Sequence, residues 1–146
     1  MSTINYKSLG TKKLKILLIE DDTIEVMKLK RAVKKLDMDH ELIEAKNGEE
    51  ALKLLNDHSI LPDIIFLDLN MPKINGLEFL KILKRDKILR FLPTIMLTTS
   101  SNRKDILACY DTGVAGYIIK PLKYDHYVLK IEAALNYWSM NELIKV

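Results

Sequence analysis

The chain has 146 residues, enough for one domain of ordinary size built on a single core. Hydrophobic residues make up 48% and charged residues 29%, which excludes wholesale disorder, and a formal net charge of +3 is too small to argue for nucleic acid as a direct partner. Its one cysteine, Cys109, cannot form an internal disulfide, and no apolar run reaches the roughly 20 residues that cross a bilayer, so a cytoplasmic protein without membrane attachment is expected.

Residues 1–14 are polar, lack the apolar stretch of a secretory signal and read as a mobile N-terminal tail, ahead of a domain over 15–140 and a C-terminal tail over 141–146. The domain opens with a short apolar strand, Lys15 to Glu20. A helix follows in which Val26, Leu29, Val33 and Leu36 form one stripe and lysines lie off it. Glu41 to Ala45 alternates and suits an edge strand. Asn47 with Glu50, and later Asn75 with Glu78, have the spacing of helix capping boxes. Strands are read at Asp63 to Asp68, Thr94 to Thr98 and Gly116 to Lys120, and Gly113 suits the end of the helix before the last of them. Apart from Glu41 to Ala45, the strand runs are continuously apolar, which implies parallel strands covered on both faces. Strand and helix alternate five times up to Trp138, the pattern of a doubly wound α/β sheet.

In such sheets the loops after the carboxyl ends of the strands form the binding crevice. Here the first strand ends in Glu20, Asp21 and Asp22, the third in Asp68, the fourth in Thr98 and the fifth in Lys120, all on one edge. Carboxylates crowded into one crevice repel each other unless a cation or a proton compensates. Oxygen ligands without cysteine or a nearby histidine point to Mg²⁺ or a similar hard ion. A metal, a lysine and a hydroxyl around an aspartate form a kit for phosphoryl transfer: Asp68 as nucleophile, Lys120 and Thr98 each binding a phosphoryl oxygen. Singly, each residue has a plainer role. Asp22 would cap a helix, Thr98 would end a strand, Lys120 would be a solvated charge, and Asp68, Asn70 and Pro72 would make a turn. Their joint placement on one edge favours the functional reading.

At these residues the sequence resembles the receiver domains of two-component response regulators, over roughly Lys15 to Trp138. The motifs are Asp21-Asp22, Leu67-Asp68-Leu69-Asn70-Met71-Pro72 ending at Gly76, Leu97-Thr98-Thr99-Ser100, and Gly116-Tyr117-Ile118-Ile119-Lys120-Pro121. The resemblance implies a flavodoxin-like (β/α)5 fold with a five-stranded parallel sheet in the order 2-1-3-4-5. It implies Asp68 as phosphoacceptor from a sensor histidine kinase, and Mg²⁺ or Mn²⁺ held by Asp22, by Asp21 through water, by Asp68 and by the Asn70 carbonyl oxygen. Glu20 is not usually a ligand there. Lys120 and Thr98 match the conserved lysine and switching hydroxyl of that family, Tyr117 the aromatic switch, and Asn70 and Ser100 the positions that tune acyl phosphate lifetime. The Lys120-Pro121 bond is expected to be cis. The implied output is a change of the surface made by the fourth helix, fifth strand and fifth helix, read by a partner or a homodimer. Passage of the phosphoryl group to a histidine phosphotransfer protein is the alternative.

A narrower resemblance, to the small regulators that partner cyanobacterial phytochromes, rests on Leu67 to Asn70, Leu97 to Ser100, Asp105-Ile106 with Tyr110, and Tyr137-Trp138; it implies a phytochrome-type kinase. Asn141 to Val146 lacks the proline expected in that group. An aspartyl-phosphate phosphohydrolase is the rival enzyme, but such enzymes need a second acid two positions after the nucleophile, where Asn70 stands. The stretch after Pro121 is too short for a helix-turn-helix domain, so no direct DNA contact is expected. His40, His58 and His126 are expected at the surface, and Cys109 buried and inert. Lys28, Lys30, Arg31, Lys34 and Lys35 read as a solvated face near the kinase-docking helix of receivers, and Tyr137-Trp138 as a cover over the core or an interface.

Overall fold

Strand and helix alternate along the chain in the computed structural model, which describes residues 9–57 and 60–144. The elements are β1 (Lys15–Ile19), α1 (Thr23–Lys35), β2 (Glu41–Ala45), α2 (Gly48–Asn56), β3 (Ile64–Leu67), α3 (Gly76–Arg85), β4 (Thr94–Thr98), α4 (Arg103–Thr112), β5 (Gly116–Ile119) and α5 (Tyr124–Ser139), with a 3₁₀ turn at Leu89–Phe91 before β4. The strands form one parallel sheet in the order β2-β1-β3-β4-β5, so the order reverses between β1 and β3. That switch point is where the carboxyl-end loops diverge to opposite faces and open a crevice.

Period-two alternation sorts the strand side chains between two cores. Ile16, Leu18, Ile64, Phe66, Ile95 and Leu97 join Leu29 and Val33 of α1 and Tyr127, Ile131 and Leu135 of α5 on one face. Leu17, Ile19, Ile65, Leu67 and Met96 join Ala51, Phe79, Leu83 and Cys109 from α2, α3 and α4 on the other. The expectation of cover on both faces holds for β3 and β4, whose side chains are all buried, and for β1 from Ile16 onward. It fails for β5, which is half-buried throughout because it is the edge strand opposite β2.

Local signals set the helix ends. Asn75 Oδ1 accepts from the Glu78 N–H at 2.9 Å and Glu78 Oε1 accepts from the Asn75 N–H at 3.3 Å, a complete capping box. At α2, Asn47 accepts from Glu50 N–H at 2.8 Å. Gly113 closes α4 at φ +110°, a conformation that a side chain would strain.

The chain just ahead of β1 is tied to the domain: the Lys12 N–H donates to the Ser139 carbonyl at 3.0 Å, and Leu14 is buried. The remainder of the expected tails, residues 1–8 and 145–146, lies outside the described residues, as does His58. His126 is exposed as expected. His40 is not: it is half-buried, and its Nδ1 accepts the Leu14 N–H at 2.9 Å, because the α1–β2 connection lays it against the entry to β1. Cys109 is buried, and its thiol is pushed up first by that burial and then by Asp105. The Tyr137 and Trp138 rings meet edge to face at 5.1 Å, with Trp138 packed on the core and Tyr137 exposed. No helix among the described residues is long and apolar enough to cross a membrane.

Candidate functional site

Three strands end one residue earlier than their apolar runs, and the residue beyond each carries the site. The Glu20 N–H donates to Ala45 O at 3.1 Å, the Asp68 N–H to Ile19 O at 3.1 Å and the Lys120 N–H to Thr98 O at 2.7 Å. Backbone pairing thus continues past the strands and fixes Glu20, Asp68 and Lys120 along one edge of the sheet. Gly76 keeps the β3–α3 loop tight. A Cβ there would collide with the Asp68 carbonyl oxygen and lie 2.8 Å from Leu69 Cα, and the Gly76 N–H donates to Leu69 O at 2.9 Å.

The carboxylates of Glu20, Asp21 and Asp68 each bring an oxygen within 4.8 Å of the others. Glu20 and Lys120 are buried, Asp68 is half-buried, and Asp21 faces solvent. The Lys120 ammonium donates to Glu20 Oε1 at 2.9 Å and pairs with Glu25 Oε2, from the first turn of α1, at 3.2 Å. Burial is the largest influence on all three inner groups. It raises Asp68, against the opposing pull of Lys120, a hydrogen bond shared with Glu20 and the Asn70 N–H, while Asp21 adds to the rise. It pushes Glu20 up to about 7, with Lys120 opposing and the Asp68 charge reinforcing. For Lys120 burial alone would lower the pKa, but Glu20, Glu25 and Asp68 outweigh it, and the ammonium holds its proton above the usual range. Negative charge is in surplus over one ammonium, and the donors are hard oxygens, so the crevice fits a divalent cation.

The structure does not bring every expected residue into this cluster, and the expected ligand Asp22 lies outside it. Asp22 Oδ1 caps α1 by accepting the Ile24 N–H at 2.9 Å, so one of its oxygens is engaged in the plainer role foreseen for it. Asn70 is exposed beside Asp68. Thr98 is fully buried, and its Oγ1 accepts the Ser100 N–H at 3.3 Å. The Ser100 hydroxyl donates to Asp105 Oδ2 at 2.7 Å, and the Ser100 carbonyl accepts the Tyr117 hydroxyl at 3.0 Å. Thr98, Ser100 and Tyr117 therefore form one hydrogen-bonded chain from the end of β4 to the ring on β5.

Two features differ from expectation. The Lys120–Pro121 bond is trans, since there is no cis peptide among the described residues; a tertiary amide still prefers trans, and Lys120 reaches Glu20 and Glu25 from that geometry. Glu25 carried no signal in the sequence beyond an acid in the first turn of a helix, a placement the helix dipole explains. Only the tertiary structure, which brings the first turn of α1 within reach of the Lys120 side chain, reveals it as a partner of Lys120.

A family model for the response regulator receiver domain matches residues 16–132. The chain is 35% identical over 127 residues to the probable methanogenesis regulatory protein FilR2 of Methanothrix harundinacea, covering 84% of this chain and 82% of that one. Among solved structures it is similar to the phosphorylated cyanobacterial phytochrome response regulator RcpA, with a TM-score of 0.85 and 31% identity over 92% of this chain and 100% of that one. It is also similar to the Mn²⁺-bound form of response regulator Rcp1, a protein of Synechocystis sp., with a TM-score of 0.81 and 30% identity over 91% and 99% of the two chains.

Proposed function

The chain belongs to the response regulator receiver domain family of two-component signalling, and on that footing we propose that it takes a phosphoryl group onto Asp68 from the phosphohistidine of a sensor histidine kinase. Members of this family are signalling switches rather than turnover enzymes. The observation that carries the reading is the arrangement at the switch point, where a half-buried Asp68 shares a carboxylate cluster with Glu20 and Asp21 beside the Lys120 ammonium.

In the transfer, an Asp68 carboxylate oxygen forms the new bond to phosphorus while the phosphorus–nitrogen bond breaks and its electron pair stays on the imidazole of the donor. Lys120 moves from Glu20 to a phosphoryl oxygen, and the Thr98 hydroxyl donates to another. Asp21 and Asp68 of the carboxylate cluster, with the Asn70 carbonyl oxygen, would hold Mg²⁺ or Mn²⁺, while Asp22 caps α1 beside them. When bound, that cation neutralises charge on the carboxylates and phosphoryl oxygens. Asn70 and Ser100 border the acyl phosphate and set its exposure to hydrolysis.

The hydrogen-bonded chain supports a route outward. Drawing Thr98 toward the phosphoryl group releases the Ser100 N–H, and Ser100 holds the Tyr117 hydroxyl through its carbonyl. Tyr117 then turns inward, which shifts the population of the surface made by α4, β5 and α5. The likeness to a phytochrome response regulator favours a phytochrome-type kinase as donor. The half-buried edge of β5 beside exposed Tyr137 suits a homodimer contact as output.

The test is intact mass after incubation with acetyl phosphate, with and without Mg²⁺, beside an Asp68→Asn variant. A Mg²⁺-dependent gain of one phosphoryl group, absent in the variant, is expected; no gain in the native chain overturns the reading.

A further inference from the structure

Lys120 is held by two carboxylates from different elements, Glu20 at the end of β1 and Glu25 on α1, at 2.9 and 3.2 Å. Among the described residues it makes no ion pair with Asp68 within 4.0 Å. The ammonium is therefore parked away from the proposed acceptor, in a pocket where its side chain is 5% exposed, against 21% for Glu25. Glu25 also lies 3.6 Å from Lys28, whose ammonium sits 4.8 Å above the Tyr127 ring of α5. That second cation keeps Glu25 facing the α1–α5 seam, and Glu25 Oε2 has no hydrogen-bond partner of good geometry although it is buried.

We propose that Glu25 is a positioning residue for phosphoryl transfer, a carboxylate on α1 that competes with the phosphoryl group for Lys120 and so restrains the reaction in the resting protein. Its role rests on Asp68 being the phosphoacceptor. Glu20 cannot perform this task alone, because it is part of the crevice and stays beside Asp68 whichever partner Lys120 takes. Glu25 reaches Lys120 from α1 and is not among the carboxylates gathered at Asp68, so its hold on the ammonium draws charge away from that cluster. When Asp68 gains a phosphoryl group, the new dianionic oxygens outbid a single carboxylate for the ammonium, and Glu25 is left with Lys28. Contacts that shift α1 or draw Glu25 toward Lys28 release Lys120 and promote transfer.

The experiment is a double-mutant cycle on the full chain, with acetyl phosphate as donor; the Asp68 oxygen bonds to phosphorus as acetate leaves with the electrons of the broken phosphorus–oxygen bond. Rates of phosphoryl gain are followed by intact mass for the native chain, Glu25→Gln, Lys120→Ala and the pair. Glu25→Gln keeps the side-chain shape and is expected to speed phosphoryl gain by about threefold or more, the range for losing one partly exposed ion pair, and to have no effect in the Lys120→Ala background. Thermal midpoints of all four chains report any structural contribution, which would appear equally in both backgrounds. Unchanged or slower transfer in Glu25→Gln, beside a native chain that is modified, overturns the role of Glu25 and leaves Asp68 as acceptor. Equal acceleration with and without Lys120 also overturns it, since Glu25 would then act by another route. A native chain that takes no phosphoryl group overturns both.

Discussion

The Lys120 ammonium donates to Glu20 Oε1 at 2.9 Å, joining the end of β5 to the end of β1 across 100 residues of sequence. The pair is buried on both sides, and nearby Asp21 and Asp68 leave Glu20 more negative charge around it than one lysine offsets. A buried pair of this kind is weak support for stability, because desolvation cancels most of the attraction. Its value is positional: under the proposed transfer to Asp68, it keeps a cation beside the carboxylate cluster that the new phosphoryl oxygens would draw on.

Because Glu20 is raised from 4.5 to about 7 in the folded chain, its contribution to stability is complete below pH 4.5 and is lost as pH rises toward 7. A divalent cation relieves that loss by offsetting the charge of the ionised cluster. The increase in thermal midpoint on adding Mg²⁺ is therefore expected to be larger at pH 8 than at pH 5. An equal increase at both values would rule out the cluster as the site of the effect.

His40 runs in the opposite direction. Burial lowers its pKa below 6.5, while Asp39 and Asp63 oppose that, and a protonated ring can no longer accept the Leu14 N–H. Its contribution is present above pH 6.5 and is lost as pH falls through the folded-state value. Denaturant midpoints should decline below pH 6.5, and His40→Gln should flatten that decline while lowering stability at pH 7.5.

Gly76→Ala places a methyl group against the Asp68 carbonyl oxygen and Leu69 Cα. The backbone must shift, at a cost of about 1–3 kcal/mol, and the shift occurs at the loop that aims Asp68. A lowered thermal midpoint together with slowed phosphoryl gain from acetyl phosphate is expected. A fall in stability with the transfer rate intact would show that the loop tolerates the displacement.

Tyr117→Phe removes the donor to the Ser100 carbonyl and costs about 0.5–1.5 kcal/mol. The consequence should concentrate in the β4–α4 loop, where faster amide exchange at Ser100 to Asn102 is expected with little change in β1 or β3. Uniformly faster exchange across the sheet would point to a general packing role for Tyr117.

The sequence by itself determined the order and type of the elements, since period and length separate strand from helix here, and Asn47, Asn75 and Gly113 mark helix ends through short-range hydrogen bonds and backbone angles. It also determined that Asp68 and Lys120 stand at the carboxyl ends of strands, and hence that they meet at one edge of the sheet. The residues it left open depend on contacts between distant segments. The half-burial of β5 follows from its place at the sheet edge. His40 became a backbone acceptor because of where the α1–β2 connection lies against Leu14. Glu25 became a partner of Lys120 because the fold brings the first turn of α1 within 3.2 Å of the Lys120 ammonium, and no local pattern encodes that distance. A carboxylate in a first helical turn serves the dipole in every such helix. Tertiary structure alone decides which cation it reaches.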